Sequence, residues 1–84
     1  MKLHQPKLNY VYKETDPKGF FLFKTFLYKN ETKCNDLFSS EGRGLINGWK
    51  WEQVFDDLPI EKLDLVEFCP TEEFNMVNYP EYFL

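Results

Sequence analysis

The side chains that most often carry out catalysis are scarce in this chain. It has a single histidine, His4, and two cysteines, Cys34 and Cys69, that lie far apart in the sequence. A histidine this close to the start of a chain usually lies in solvent, and a zinc site needs Cys and His ligands at short, regular spacings. We therefore expect no Cys–His nucleophile pair, no metal site, no cofactor and no enzymatic activity.

Two short motifs come closer to a ligand site without matching one. Residues 41–44, Glu-Gly-Arg-Gly, are rich in glycine but lack the spacing and the Lys-Ser/Thr pair of a phosphate-binding loop. A later segment places four carboxylates close together: Asp56, Asp57, Glu61 and Asp64. Their order is not that of a calcium loop, and nothing in the sequence separates their pKa values as a general acid–base pair requires. A flexible loop and a solvated acidic surface are the expected structures.

Charge is distributed unevenly between the two parts of the chain. Residues 1–51 contain nine Lys and Arg against five Asp and Glu, a net charge of +4. Residues 52–84 contain nine Asp and Glu against one lysine, a net charge of −8, so the whole chain carries −4. A one-sided charge of this size exceeds what solubility requires and indicates a surface that meets an oppositely charged partner.

The acidic part of the chain supplies the predicted binding surface. Its members are five carboxylates and a nearby tryptophan: Asp56, Asp57, Glu61, Asp64, Glu67 and Trp49. Tryptophan is common at binding hot spots, and complementary charge speeds association. We predict a small acidic protein–protein interaction module, an inhibitor or adaptor that binds a basic surface on a partner protein. Small acidic chains of this kind resemble phage or mobile-element accessory proteins that inhibit or adapt a host protein. A solvated face without a partner explains the same acids equally well.

A second hypothesis uses the basic part of the chain to bind single-stranded nucleic acid. Aromatic and basic side chains are interspersed there and could stack bases and neutralise phosphates on a sheet: Tyr10, Tyr12, Lys13, Lys24, Tyr28 and Lys29. Such domains are usually basic overall, whereas this chain is acidic. Nucleic acid is therefore the less favoured partner.

The elements that would position these residues begin with an antiparallel hairpin. Residues 8–14 alternate between apolar and polar side chains, and residues 20–29 form a second strand that is apolar on both faces. Between them, Asp16-Pro17-Lys18-Gly19 has the residue order of a type I turn. A second turn at Asn30-Glu31 leads into a weaker third strand over residues 32–38.

Later elements are predicted from shorter patterns. Four apolar residues recur at helical spacing and predict a short helix that Asn47 caps and Pro59 ends: Trp51, Val54, Phe55 and Leu58. Alternation of Trp49, Trp51 and Phe55 leaves a strand as the alternative. Residues 62–68 read as another strand, and a second helix begins near Thr71, with Phe74 and Val77 facing inward until Pro80. The predicted fold is α+β: one domain over residues 1–84, with a small antiparallel sheet of three to five strands and one or two short helices.

A core of large apolar side chains must stabilise so short a chain. The residues expected to be mostly buried are Phe21, Phe23, Leu27, Trp51, Phe55, Leu65 and Phe68. The apolar stretches are too short for a membrane span, which requires roughly 20 residues, and no apolar run near the start indicates a secretory signal. We therefore expect a cytoplasmic protein in which both cysteines are reduced and largely buried.

Overall fold

A computed structural model describes residues 6–17, 19–40, 47–55 and 64–83 of the chain. They form one antiparallel sheet of five strands in the order β4-β3-β2-β1-β5. The strand bounds are β1 Tyr10–Asp16, β2 Gly19–Tyr28, β3 Glu31–Ser39, β4 Asn47–Lys50 and β5 Asp64–Pro70. Each of the first three strands pairs with the next one in sequence, and β5 pairs with β1 at the other edge. The predicted small antiparallel sheet is therefore confirmed.

Both predicted turns in the N-terminal half are present. Asp16 is paired with Gly19, so the first hairpin closes where the Asp-Pro-Lys-Gly motif predicted it. The second turn consists of Lys29 and Asn30, whose φ angles are +50° and +63°. Two successive residues with positive φ match the right-handed twist of a two-residue hairpin. This turn lies one residue earlier than predicted, and Glu31 is the first residue of β3.

One face of the sheet, the front face, buries a cluster of aromatic residues. Tyr12 and Phe23 lie on neighbouring strands of this face, and Trp51 covers them with ring centroids 5.1 and 5.9 Å away. Trp51 begins a 3-10 helix, Trp51–Phe55, whose Val54 is also buried in this cluster. The short helix therefore acts as the cover of the front face.

The opposite face, the back face, is covered by the C-terminal segment, residues 71–83. Val11 and Leu22 are completely buried on this face. Rings from the segment pack over them, with Tyr82 5.0 Å from Phe38 and Tyr79 5.0 Å from Phe68 between centroids. The sheet is thus the middle layer of three, which explains why β2 is apolar on both faces.

The predicted α-helices are replaced by single 3-10 turns, so the fold is mostly β rather than α+β. The 3-10 helices are Trp51–Phe55, Thr71–Glu73 and Pro80–Tyr82, and the described residues contain no α-helix. Asn47, predicted to cap a helix, lies in β4. Leu58 and Pro59, at the predicted end of that helix, lie outside the described residues. In the second predicted helix, which would begin near Thr71, the side chain of Asn75 accepts hydrogen bonds from backbone N–H groups. These bonds compete with helical hydrogen bonding.

The predicted core is confirmed at the centre of the sheet. Phe21, Phe23 and Trp51 are buried, while Leu65 and Phe68 are partly buried and pack against the front and back clusters, respectively. The side chain of Phe55, also predicted to be buried, lies outside the described part of the structure.

Two residues predicted to face inward are exposed. Leu27 lies on the front face as predicted but is 57% exposed, because the 3-10 helix covers the part of β2 nearer to Phe23. Val77 is 88% exposed, because the chain around it forms a loop instead of the predicted helix. Both corrections place apolar side chains on the surface.

The two cysteines are free and buried, as predicted. Cys34 lies in the front cluster and Cys69 in the back cluster, so the sheet separates the two thiols. None of the helices in the described residues has the length and apolar character that a transmembrane span requires.

Candidate binding surfaces

The structure places Trp49 apart from the two acids of the predicted acidic surface that it describes. Trp49 lies in β4, at one edge of the sheet, whereas Asp64 and Glu67 lie in β5, at the opposite edge, with three strands between them. Asp56, Asp57 and Glu61 lie outside the described residues. Trp49 is therefore not beside the two acids whose positions are known.

Asp64 and Glu67 also point to opposite faces. Asp64 is opposite Thr15 on the back face, and Glu67 is opposite Tyr12 on the front face. The carboxylate of Glu67 accepts a hydrogen bond of 2.9 Å from Lys7 Nζ. This hydrogen bond and the charge of Glu67 raise the pKa of Lys7. Glu67 is thus already paired within the chain, which leaves Asp64 as the unpaired exposed acid of β5 among the described contacts.

Trp49 is a partly exposed residue of the front face. It is opposite the buried Cys34 and is 40% exposed. Leu27 lies on the same face two strands away and is more exposed still. This edge of the front face is apolar, but it carries none of the predicted acids with known positions.

Among the described residues, β5 and the C-terminal segment are the most acidic part of the chain. Residues 64–83 contain five carboxylates and no Lys, Arg or His. They also contain the two most exposed apolar side chains of the described structure, Met76 at 64% and Val77 at 88%. Glu72 and Glu73 precede these residues and are exposed. We call residues 72–78 the acidic loop.

Hydrogen bonds from two asparagines hold the acidic loop in shape. Asn75 Oδ1 accepts from the backbone N–H groups of Val77 and Asn78, at 3.1 and 3.0 Å. Asn75 Nδ2 donates to the carbonyl of Glu72 at 3.2 Å, and Asn78 Nδ2 donates to the carbonyl of Glu73 at 3.0 Å. Because the loop is bonded on both sides of its tip, Met76 and Val77 are presented on a defined backbone.

The base of the acidic loop is fixed by aromatic packing. Phe74, within the loop, and Tyr79, directly after it, have stacked rings 5.8 Å apart, and both pack against Phe68 of β5. Burial raises the pKa of Tyr79, and Cys69 raises it further through a hydrogen bond. Tyr79 therefore keeps its proton at neutral pH, and the aromatic packing beneath the acidic loop stays uncharged.

The acidic loop was not predicted from the sequence, which was read there as a helix. The signal that could have identified it is the pair Asn75 and Asn78, since asparagine favours turns over helix interiors. Both Met76 and Val77 lie between these asparagines, where a turn exposes side chains that a helix could have turned inward.

A second surface lies on the back face beyond the C-terminal segment, near the β2–β3 turn. Lysine and aromatic side chains share this area, which we call the basic patch: Lys24, Phe26, Tyr28, Lys33 and Lys50. A groove of about 260 Å³ is lined by Phe26, Tyr28, Lys33 and Gly48. The patch includes only part of the predicted nucleic-acid surface. Of the other residues predicted for it, Tyr12 is buried on the front face and Lys13 lies over the ring of Phe20.

Comparison with known proteins gives no match. No protein-family model fits the chain, and neither a curated protein nor a solved structure matches it significantly.

Proposed function

We propose that the chain is a protein-binding module whose acidic loop docks Met76 and Val77 into an apolar pocket on a partner with a basic rim. The observation that carries the proposal is the exposure of these two side chains on a loop held by Asn75 and Asn78. The kind of partner is the one predicted from the sequence, a protein with a basic surface. The proposed apolar contact with the partner is formed by the acidic loop and not, as predicted from the sequence, by Trp49.

The apolar tip would supply much of the affinity. Full burial of a Val or Met side chain contributes about 1.5–3 kcal/mol, and Val77 retains nearly all of its surface for a partner to cover. Binding usually loses free energy to the ordering of loops. Because the acidic loop is already hydrogen-bonded, less ordering remains to be done when a partner binds.

The carboxylates around the tip favour a basic partner. Glu72, Glu73 and Glu81 are exposed in the C-terminal segment, and no cation lies in the sequence between residues 64 and 83. The negative electrostatic potential of these carboxylates increases the rate of encounter with a basic surface and disfavours acidic partners. The predicted residues Asp56 and Asp57 belong to the same acidic part of the sequence and lie outside the described residues.

The finer role that we propose is that of an accessory protein of phage or mobile-element type, which inhibits or adapts a host protein by binding rather than by catalysis. Its support is the acidity of the chain and the apolar tip of the hydrogen-bonded acidic loop. A cytoplasmic location agrees with the two free buried thiols, Cys34 and Cys69.

The test compares proteins captured from native host extract by three forms of the chain. These are the wild type, a loop variant Met76→Ser with Val77→Ser, and a control variant Leu27→Ser, which changes an exposed apolar residue elsewhere. The expected partner is retained by the wild type and the control and is lost by the loop variant. The same proteins captured by all three forms would contradict the proposal.

Binding kinetics with the captured partner then separate the roles of charge and apolar contact. Glu72→Gln with Glu73→Gln should slow association at low salt, and reversal of Asp56 and Asp57 to Lys should do the same. Val77→Ala should act mainly on dissociation. Association that is unchanged by both pairs of charge variants, together with an unchanged salt dependence, would show that the acids are only a solvated face.

A further inference from the structure

The back face of β2 is divided into a covered half and an open half. Phe20 and Leu22 lie under the C-terminal segment, within the back cluster. Further along the same strand, Phe26 is only partly buried and Tyr28 is 54% exposed. The distance from Leu22 to Phe26 is about 14 Å for four residues of an extended strand. Beyond the cover, the sheet therefore presents aromatic rings to solvent.

Lysines surround these rings through the pairing of three strands. Phe26 is opposite Lys33, and Lys33 is in turn opposite Lys50 on the next strand. Like charges placed directly opposite each other are destabilising. Glu31 compensates in part, since its carboxylate lies 3.1 Å from Lys33 Nζ and its pKa is lowered by Lys33 and Lys50.

The patch nevertheless retains an excess of positive charge. Its lysines and the adjacent turn residue, Lys24, Lys29, Lys33 and Lys50, outnumber the single acid, Glu31, by three. Lys29 Nζ lies 5.4 Å from the centroid of the Tyr28 ring, so cation and ring are presented together. This combination of charge and open rings suits an anionic ligand with flat aromatic groups.

The groove provides room for one such group. It is lined by Phe26 and Tyr28, by Lys33 and by Gly48, with a volume of about 260 Å³. No atom lies within 4 Å of the position that a Cβ on Gly48 would occupy, so the glycine side of the groove is open. Only an unpaired base can lay its face against a protein ring.

We propose that the basic patch binds single-stranded nucleic acid. A base stacks on Tyr28 and Phe26 in the groove, and Lys24, Lys33 and Lys50 contact phosphates. The site is separate from the acidic loop, because it lies around the β2–β3 turn and β4, whereas the loop follows β5 at the other edge of the sheet. It therefore stands or falls independently of the proposed protein-binding function.

The test is fluorescence anisotropy with labelled DNA and RNA strands of about 12 nucleotides, within the usual range for such sites, at about 0.1 M salt. Tyr28→Ala should weaken binding by roughly tenfold or more, because one stacking platform is removed. Lys33→Gln with Lys50→Gln should weaken binding and reduce the salt slope measured from about 0.1 M to about 1 M by about 1.4, since each phosphate contact contributes about 0.7 on single strands. Lys13→Gln is the matched control, a lysine outside the patch, and should leave binding unchanged.

Three outcomes would overturn the proposal. The first is no binding to either strand up to about 100 µM, the weak end of non-specific binding. The second is binding that Tyr28→Ala leaves unchanged. The third is binding of a duplex or of polyglutamate that is as tight as binding of the single strand. Either result would show that the patch recognises negative charge and not unpaired bases. Circular dichroism of each variant checks that the sheet is retained.

Discussion

Phe23→Ala tests whether the centre of the front face is the main source of stability. Phe23 is completely buried in the central strand β2, with the rings of Tyr12, Phe21 and Trp51 within 6.0 Å between centroids. Truncation of a buried Phe to Ala costs about 3–5 kcal/mol. A chain of 84 residues has a free energy of unfolding of about 4–13 kcal/mol at 0.05–0.15 kcal/mol per residue. The substitution should therefore remove a large part of the total.

The assay is thermal and chemical denaturation followed by circular dichroism, with Leu27→Ala as the matched control. Leu27 lies on the same face of the same strand but is 57% exposed. A loss of 3 kcal/mol corresponds to a decrease in Tm of at least about 12 °C for a domain of this size, whereas Leu27→Ala should cost less than about 1 kcal/mol. If Phe23→Ala does not fold, Phe23→Leu keeps an apolar side chain and should show a smaller decrease.

Because Phe23 and Leu27 share a face of β2, the difference in stability between their alanine variants tests how far the 3-10 helix covers that face. It does not test which face is buried. Trp51 covers Phe23, and in the described structure the 3-10 helix does not extend over Leu27. A Phe23→Ala protein that melts within a few degrees of the wild type would refute this packing. Equal losses for both variants would show that the cover extends along the whole strand.

Three further predictions follow from individual residues. Burial, with a contribution from Glu52, raises the pKa of Cys34 to about 12, so the thiol of the native protein should resist alkylation by iodoacetamide at pH 8. The free energy of unfolding should decrease from about pH 9 towards pH 12, because the thiol ionises at lower pH in the unfolded chain than in the folded one. Gly48 has a φ of +70° with no neighbour near its Cβ position; Gly48→Ala should cost about 1–2 kcal/mol from backbone strain, and Gly48→Asn less, in urea denaturation. Lys7→Met and Glu67→Gln should each lower the midpoint of urea denaturation only slightly, and 1 M salt should abolish the difference from the wild type, since the ion pair is exposed.

The N-terminal half of the fold could be predicted because its signals are local. The Asp-Pro-Lys-Gly motif fixed the first turn, and alternation placed Phe21, Phe23 and Leu27 on one face and Phe26 and Tyr28 on the other. Alternation reports the face of a strand, but not how far another element covers that face. That is why Leu27 was wrongly predicted to be buried.

The helices were wrongly predicted because short patterns do not distinguish helix types. Trp51 and Val54 are three residues apart, which one turn of 3-10 helix satisfies as well as an α-helix does. Near the C-terminus, Val77 matched an inward helical position. The asparagine side chains of Asn75 and Asn78 instead bond the local backbone and produce a loop.

The candidate site was harder to predict than the fold because it depends on strand order. The charge asymmetry is visible in the sequence, but the position of Trp49 relative to Asp64 and Glu67 depends on which edge β5 joins. β5 pairs with β1, not with β4, and this long-range choice places the tryptophan and the two acids at opposite edges. The lysines of the basic patch meet for the same reason, through pairing between β2, β3 and β4.

The separation of charge predicts an unusual salt dependence for nucleic-acid binding by the basic patch. The whole chain carries −4, whereas the patch with Lys29 and Glu31 carries an excess of three positive charges. The described residues extend about 33 Å, close to the Debye length of about 30 Å at 0.01 M salt. At that ionic strength the strand experiences the charge of the whole molecule, and the acids of the C-terminal part repel it.

Near 0.1 M salt the Debye length is about 10 Å, so the distant acids repel a strand at the basic patch less strongly. At 1 M salt the Debye length is about 3 Å, and the attraction between the patch and the strand is lost. Affinity for a single strand should therefore reach a maximum near 0.1 M, in contrast to a uniformly basic domain, whose affinity increases continuously as salt is removed. Anisotropy titrations at 0.01, 0.1 and 1 M salt measure this directly. Glu72→Gln with Glu73→Gln should raise the affinity at 0.01 M more than at 0.1 M. A continuous increase in affinity down to 0.01 M would show that the acids do not oppose binding, and would contradict this separation of charge.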